Sequence, residues 1–236
     1  MQKILFYLFM LPVLAGFSVH AQNNNVQMGI VGDKFSDFTL TTFQGEKIST
    51  QDLRGKNILL VIPRGKYKDN EWCTICMYQY AEWAELELTQ QIRKKYNLEI
   101  VFLFPYNKDS IAKWVNDFPK EITRFKEWKN PSNPEKLSDG EKWWMNFTRT
   151  HFPKDFDYKD KNVPLPLPIV LDDKQEVSKG LNLSRTEWDG SKTLQNIPAV
   201  FIINKEGILK FKYISQATID RPSSEYIMEI MDKILK

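Results

Sequence analysis

The chain is predicted to be an α/β protein: a central mixed β-sheet flanked by helices. Three observations predict it. The continuous apolar runs Asn57–Ile62 and Leu98–Phe104 have the length and the branched or aromatic content of strands buried on both faces. Stretches of helical character follow them, at 77–96 and 111–118. Two more β-rich runs, Ala199–Ile203 and Leu209–Ile214, flank the turn Asn204-Lys205-Glu206-Gly207 and so close the order with an antiparallel hairpin.

The elements follow in order. Residues 1–21 read as a secretory signal peptide: Lys3 supplies a positive start, 4–17 a short apolar core, and Val19-His20-Ala21 a small-x-small cleavage site. The core is too short for a comfortable membrane span. No cysteine follows it, which argues against a lipoprotein anchor. Export places the mature chain in the periplasm of a Gram-negative cell, or otherwise outside the cytoplasm. Residues 22–30 are a polar, flexible start to a single domain spanning 31–236. Phe38-Thr39-Leu40-Thr41 and Lys47-Ile48-Ser49 flank a Gln44-Gly45 turn as a small hairpin. A charged loop is expected from Pro63 to Glu71. The helix after it carries Met77, Tyr80, Ala81, Ala84 and Leu88 on one stripe. Ile169–Leu171 is a short strand and 175–181 a short helix. The last helix aligns Ile227, Ile230, Met231 and Ile234, with Pro222 in its first turn.

Residues 119–168 do not fit this alternation. They hold Trp128, Trp143, Trp144, Phe147, Phe152, Phe156 and Tyr158 among seven prolines. A structureless loop of that length is uncommon in a compact domain. The segment reads as an aromatic-rich insertion with its own helix at 138–150. Its rings either pack onto the domain or form a lid or partner surface on the side of the cysteines. The adjacent Trp143 and Trp144 cannot both face one core from a helix, so one stays available.

The formal net charge is +3, and removal of the leader with Lys3 lowers it by one, to +2. Both signs are mixed and no basic block is present, which argues against nucleic acid as a partner.

The chemistry is concentrated in Glu71-Trp72-Cys73-Thr74-Ile75-Cys76, which holds the only two cysteines. A Cys-x-x-Cys between a strand and a helix is a redox arrangement, because helix N-terminal amides face the first sulfur and favour its thiolate. Cys73 is therefore expected to have the lower pKa and the greater exposure of the pair. A structural disulfide across two residues would close too small a loop to add much stability. A structural zinc site normally takes four ligands, and His151 is the one histidine outside the leader.

These residues resemble a known family. Val31-Gly32-Asp33-Lys34-Phe35-Ser36-Asp37-Phe38 looks like the opening of redoxins. Arg64-Gly65 followed by Trp72-Cys73-Thr74-Ile75-Cys76 resembles the signature of peroxiredoxin-like proteins. Ile197-Pro198-Ala199-Val200-Phe201-Ile202-Ile203-Asn204 with Gly207-Ile208 resembles a thioredoxin-fold segment. The likeness is to the AhpC/TSA branch (alkyl hydroperoxide reductase and thiol-specific antioxidant) of the thioredoxin superfamily, and it implies a thioredoxin-like fold. It further implies Cys73 as an exposed nucleophile, Cys76 as the resolving thiol, and a cis Pro198 facing the pair. Ile197 would offer its backbone to substrate, Trp72 would flank the nucleophile, and Arg64 would stabilise the thiolate or hold a peroxide. The chain departs from the peroxiredoxin pattern in three places. Asn70 stands where those proteins place Thr or Ser, Lys66 to Glu71 expand the loop, and the cysteines are only two residues apart.

The leading expectation is a thiol–disulfide oxidoreductase without metal or organic cofactor, acting on a protein or small-molecule disulfide and supplied by an electron-donating thiol partner. A thiol peroxidase acting on hydroperoxides is the alternative. A copper carrier using Cys73, Cys76 and His151 is a third.

Overall fold

The computed structural model describes residues 29–158 and 163–235; the expected leader lies outside them. The strands are β1 (Thr39–Thr41), β2 (Lys47–Ser49), β3 (Asn57–Ile62), β4 (Lys66–Lys68), β5 (Glu71–Trp72), β6 (Leu98–Phe104), β7 (Ile169–Leu171), β8 (Ser184–Arg185), β9 (Gln195–Asn196), β10 (Ala199–Ile203) and β11 (Leu209–Ile214). The helices are α1 (Thr74–Gln90), α2 (Ile92–Lys95), α3 (Lys108–Lys129), α4 (Asp139–His151), α5 (Glu176–Gly180) and α6 (Ser224–Ile234).

The central sheet has the order β11-β10-β3-β6-β7. β6 runs parallel to β3 and to β7, whereas β10 is antiparallel to β3 and β11. The sheet is therefore mixed, as the sequence predicts, and this is a thioredoxin-like fold. Alternation explains why its strands are apolar throughout. Leu59, Val61, Ile100, Phe102, Phe104, Val200 and Ile202 face the layer of α1, α3 and α6. Ile58, Leu60, Ile62, Val101, Leu103, Phe201 and Ile203 face the other, with Phe35, Leu181 and Leu183.

Helix α1 lies between sheet and helices, and every residue from Thr74 to Glu82 is buried. The expected stripe is thus part of an almost fully buried start, while Leu88 is exposed. Gln91 in the left-handed conformation ends α1, so the expected 77–96 helix is two helices. Pro222 lies just before the cap Ser223 rather than within the first turn of α6.

A helix ending at Phe118 was the expectation; α3 instead continues through Pro119 to Lys129. A proline inside a helix costs ~3 kcal/mol or more. Against it, Ile111, Trp114, Phe118, Ile122 and Phe125 are all buried along one stripe. Burying each such side chain contributes about 1.5–3 kcal/mol, so the stripe outweighs the break. Helix α4 starts where the sequence places it: Ser138 and Glu141 form a reciprocal capping box.

The insertion is tied into the main core. Tyr78 of α1 meets Phe125, Phe152 and Phe156 at 4.8, 5.0 and 5.2 Å between ring centroids. Buried Lys129 donates from Nζ to the carbonyls of Phe152 (3.0 Å) and Lys154 (2.8 Å) and to Asp155 Oδ1. Trp144 packs on Trp128, and Trp143 is 55% exposed.

Candidate active site

The chain leaves β3 at Ile62, passes Pro63-Arg64-Gly65, makes the small β4–β5 hairpin, and enters α1 at Cys73. The expected charged loop from Pro63 to Glu71 is thus largely a hairpin. Gly65 has φ +87°, a left-handed conformation suited to glycine. It also leaves no room for a side chain, because a Cβ there would lie 2.5 Å from the Tyr106 ring. Its carbonyl accepts the Cys73 N–H at 2.8 Å, which fixes the start of α1. The Tyr106 hydroxyl accepts the Lys66 N–H at 2.9 Å and donates to the Leu194 carbonyl at 2.7 Å, so Tyr106 holds the outer side of the turn.

Cys73 is the N-cap residue of α1, and Cys76 sits in its first turn. Both are free thiols. They are buried, at 4% and 0% exposure. The expected order of exposure holds, but the expected exposed nucleophile does not. Arg221 lies against its sulfur, and a cavity described below, lined also by Tyr67, Thr218 and Ile219, reaches it.

The guanidinium of half-buried Arg221 spans the two sulfurs. Arg221 donates from Nη1 to Cys76 Sγ at 3.1 Å and from Nη2 to Cys73 Sγ at 3.3 Å. Burial pushes the Cys73 thiol up; the hydrogen bond from Cys76 and the charge of Arg221 outweigh this and leave it well below the ordinary thiol value. The Cys76 backbone N–H adds to the same effect, as the helix N-terminus predicts. Cys76 goes the other way: burial and its hydrogen bond to Cys73 push its thiol well up. These surroundings thus favour the thiolate at Cys73 and the proton-bearing thiol at Cys76. A cation drawn out of water is costly without a counter-charge, and the Cys73 thiolate supplies it. This keeps Arg221 charged despite the desolvation that opposes it.

Sequence reasoning did not find Arg221. It lies 145 residues from Cys76, and no spacing rule links them. The available signal was weak: a basic residue just ahead of the Pro222-Ser223 start of the last helix.

The other expected site residues are placed as follows. Arg64 is buried and lines the same cavity as Cys73, but its N–H groups go to Gln195 Oε1 (2.7 Å), Thr218 Oγ1 (2.5 Å) and the Trp188 carbonyl (3.2 Å). The guanidinium on the sulfurs is that of Arg221. Trp72 is 3% exposed and packs edge-on to Tyr106 at 5.4 Å. Pro198 is buried, and its bond to Ile197 is trans; no cis peptide occurs among the described residues, so the expected cis proline is corrected. Trans is the intrinsic default of an X-Pro bond. Ala199 pairs with Ile62 in β3, and the Pro198 carbonyl accepts the Ser215 N–H at 2.9 Å. The Ile197 N–H is already donated to the Leu183 carbonyl at 2.8 Å. His151 does not join the sulfurs: it packs on Phe147 at 4.3 Å and lines a different cavity. No metal-holding group of three His, Cys, Asp or Glu occurs among the described residues, so the copper reading has no ligand set there.

A cavity of about 290 Å³ reaches Cys73. Its walls come from Thr74 and Ile75 of α1, Trp128 of α3, Trp144 of α4 and Ile219. The insertion therefore contributes both to the core and to the approach to the thiolate. Across Ile75 and Ile219 lies a second cavity, about 420 Å³, bordered by Arg221, Glu82 and Glu225.

The AhpC/TSA family model matches residues 31–212. Among solved structures, peroxiredoxin 6 of Arenicola marina is similar at TM-score 0.53 and 16% identity, over 86% of this chain and 72% of that one. The mitochondrial 2-Cys peroxiredoxin of Plasmodium falciparum is similar at TM-score 0.51 and 16% identity, over 86% and 93%. A search of curated proteins finds no significant match.

Proposed function

Because the chain belongs to the AhpC/TSA family and is a thiol-based oxidoreductase enzyme, we propose that it is a thiol–disulfide oxidoreductase working through the Cys73–Cys76 pair. The observation that carries this is geometric: a free Cys73 at the N-cap of α1 and a free Cys76 in its first turn, both contacted by one guanidinium. In the reaction the Cys73 thiolate attacks one sulfur of a substrate disulfide. A Cys73–substrate bond forms, and the other sulfur leaves as a thiolate with the bonding electron pair. Cys76 gives its proton to that leaving thiolate. As thiolate it attacks Cys73, forms the Cys73–Cys76 disulfide and releases the second substrate sulfur. The substrate is reduced by two electrons and the pair oxidised by two. An external thiol donor resets it.

A second reading, thiol peroxidase, is favoured by a specific observation: Cys73 is 4% exposed and opens onto a cavity of only about 290 Å³, a size suited to small substrates. There the Cys73 thiolate would attack a hydroperoxide oxygen, breaking the O–O bond to give the sulfenic acid and the corresponding alcohol, and Cys76 would condense with the sulfenic acid, releasing water. Stopped-flow oxidation of the reduced protein separates the two. Faster oxidation by a disulfide than by an equal concentration of hydroperoxide supports the first reading, and the reverse order supports the second.

The leader at 1–21 supports export, with the mature chain working outside the cytoplasm. N-terminal sequencing of the mature protein tests it; a chain beginning at Gln22 is expected, and a retained Met1 would contradict it.

A further inference from the structure

The cavity at Cys73 has two kinds of wall. One is aromatic and aliphatic: Trp128, Trp144, Ile75 and Ile219. The two indoles meet edge to face, with centroids 5.2 Å apart and planes at 74°, and so form a corner. Both rings are half-buried, and they come from different helices of the insertion. The other wall carries two arginines, and both are already engaged. Arg64 donates to Gln195, Thr218 and Trp188, and Arg124 pairs with Glu121 at 2.9 Å. A ligand entering the cavity meets ring surface more than unclaimed cationic donors. A half-buried corner of this kind favours a flat π-system, because offset and edge-to-face contacts add to the burial of apolar area.

We propose that the Trp128–Trp144 corner is a specificity-determining site that seats an aromatic group carried next to the sulfur under attack. The favoured substrates are disulfides bearing an aromatic group, and the proposal rests on the thiol–disulfide reading above. The Cys73 thiolate forms its bond to the sulfur bearing the seated ring. The other sulfur departs as a thiolate, and Cys76 completes the exchange as already written.

The test uses the full chain, reduced, in single-turnover reactions with two neutral probes: 4,4′-dithiodipyridine, which is aromatic, and bis(2-hydroxyethyl) disulfide, which is aliphatic. The variant-to-wild-type rate ratio for each probe cancels differences between leaving groups. Trp144→Ala is expected to slow the aromatic probe about three- to tenfold, the range of one aromatic contact. It should change the aliphatic probe by less than about twofold. Trp144→Phe should stay near wild type. Trp144→Leu, which keeps apolar bulk in the helix, covers the case in which the alanine variant is poorly folded, and should behave like it. Equal slowing of both probes, or no slowing of either, overturns the proposal. If the wild type reduces neither probe, the thiol–disulfide reading itself fails and takes this site with it.

Discussion

Replacing Glu82 by Gln should stabilise the protein, by an amount that grows as pH rises above 4.5 and levels off above about 7. Glu82 lies on the third turn of α1, beyond the cysteines, and is 8% exposed. Burial pushes its carboxyl up to about 7, and the charge of Glu225 adds to the rise while Lys154 opposes it. The ordinary value is 4.5. The folded state therefore holds a proton between pH 4.5 and 7 that the unfolded state has released. Stability must fall as pH rises through that window, and below it the group contributes nothing. A difference of about 2.5 units at 1.36 kcal/mol each gives about 3 kcal/mol lost by pH 8. Glu82→Gln keeps the shape and removes the charge. Denaturant unfolding of both proteins at pH 4.5 and pH 8, under constant reductant, should show nearly equal stabilities at the lower pH. At the higher pH the variant should gain on the order of 3 kcal/mol. A gain independent of pH, or a less stable variant at pH 8, would refute the reasoning.

Two other changes probe the site. Arg221→Met removes the charge that faces both sulfurs, so Cys73 should titrate at higher pH and react more slowly at pH 7; an unchanged midpoint of thiolate absorbance against pH would show that Arg221 does not hold it down. Gly65→Ala forces a Cβ into the Tyr106 ring at a left-handed position, so a loss of at least ~1 kcal/mol is expected in unfolding experiments, and a neutral effect would mean that the turn yields freely.

The strands were legible because burial on both faces writes them as unbroken apolar runs: Asn57–Ile62, Leu98–Phe104 and Ala199–Ile203 all appear at those bounds. The helix expected at 138–150 was equally local, and so was the cysteine pair at a helix start. What could not be read is non-local. Arg221 reaches the sulfurs from the segment before α6, and the local pattern marks only a basic residue ahead of a helix start, not its approach to the cysteines. The burial of Cys73 depends on segments far from it in the chain, among them the one holding Thr218 and Ile219. Pro119 looked like a helix end because proline is locally disruptive, but the stripe from Ile111 to Phe125 outweighs it. Arg64 lay at a family-like position, yet its guanidinium is taken up by Gln195, Thr218 and Trp188. Pro198 shows the reverse error: the motif suggested a cis bond, whereas the strand that follows is entered through a trans one.

The division of labour between the two cysteines is the central claim, and trapping tests it most directly. Reduced Cys76→Ser and Cys73→Ser variants are each mixed with a small disulfide at pH 7, and the adducts are mapped by peptide mass spectrometry. The account predicts a lasting mixed disulfide on Cys73 in Cys76→Ser. It predicts little or no adduct on Cys76 in Cys73→Ser, and an intramolecular Cys73–Cys76 disulfide in the wild type. Faster adduct formation on Cys76 than on Cys73 would contradict it.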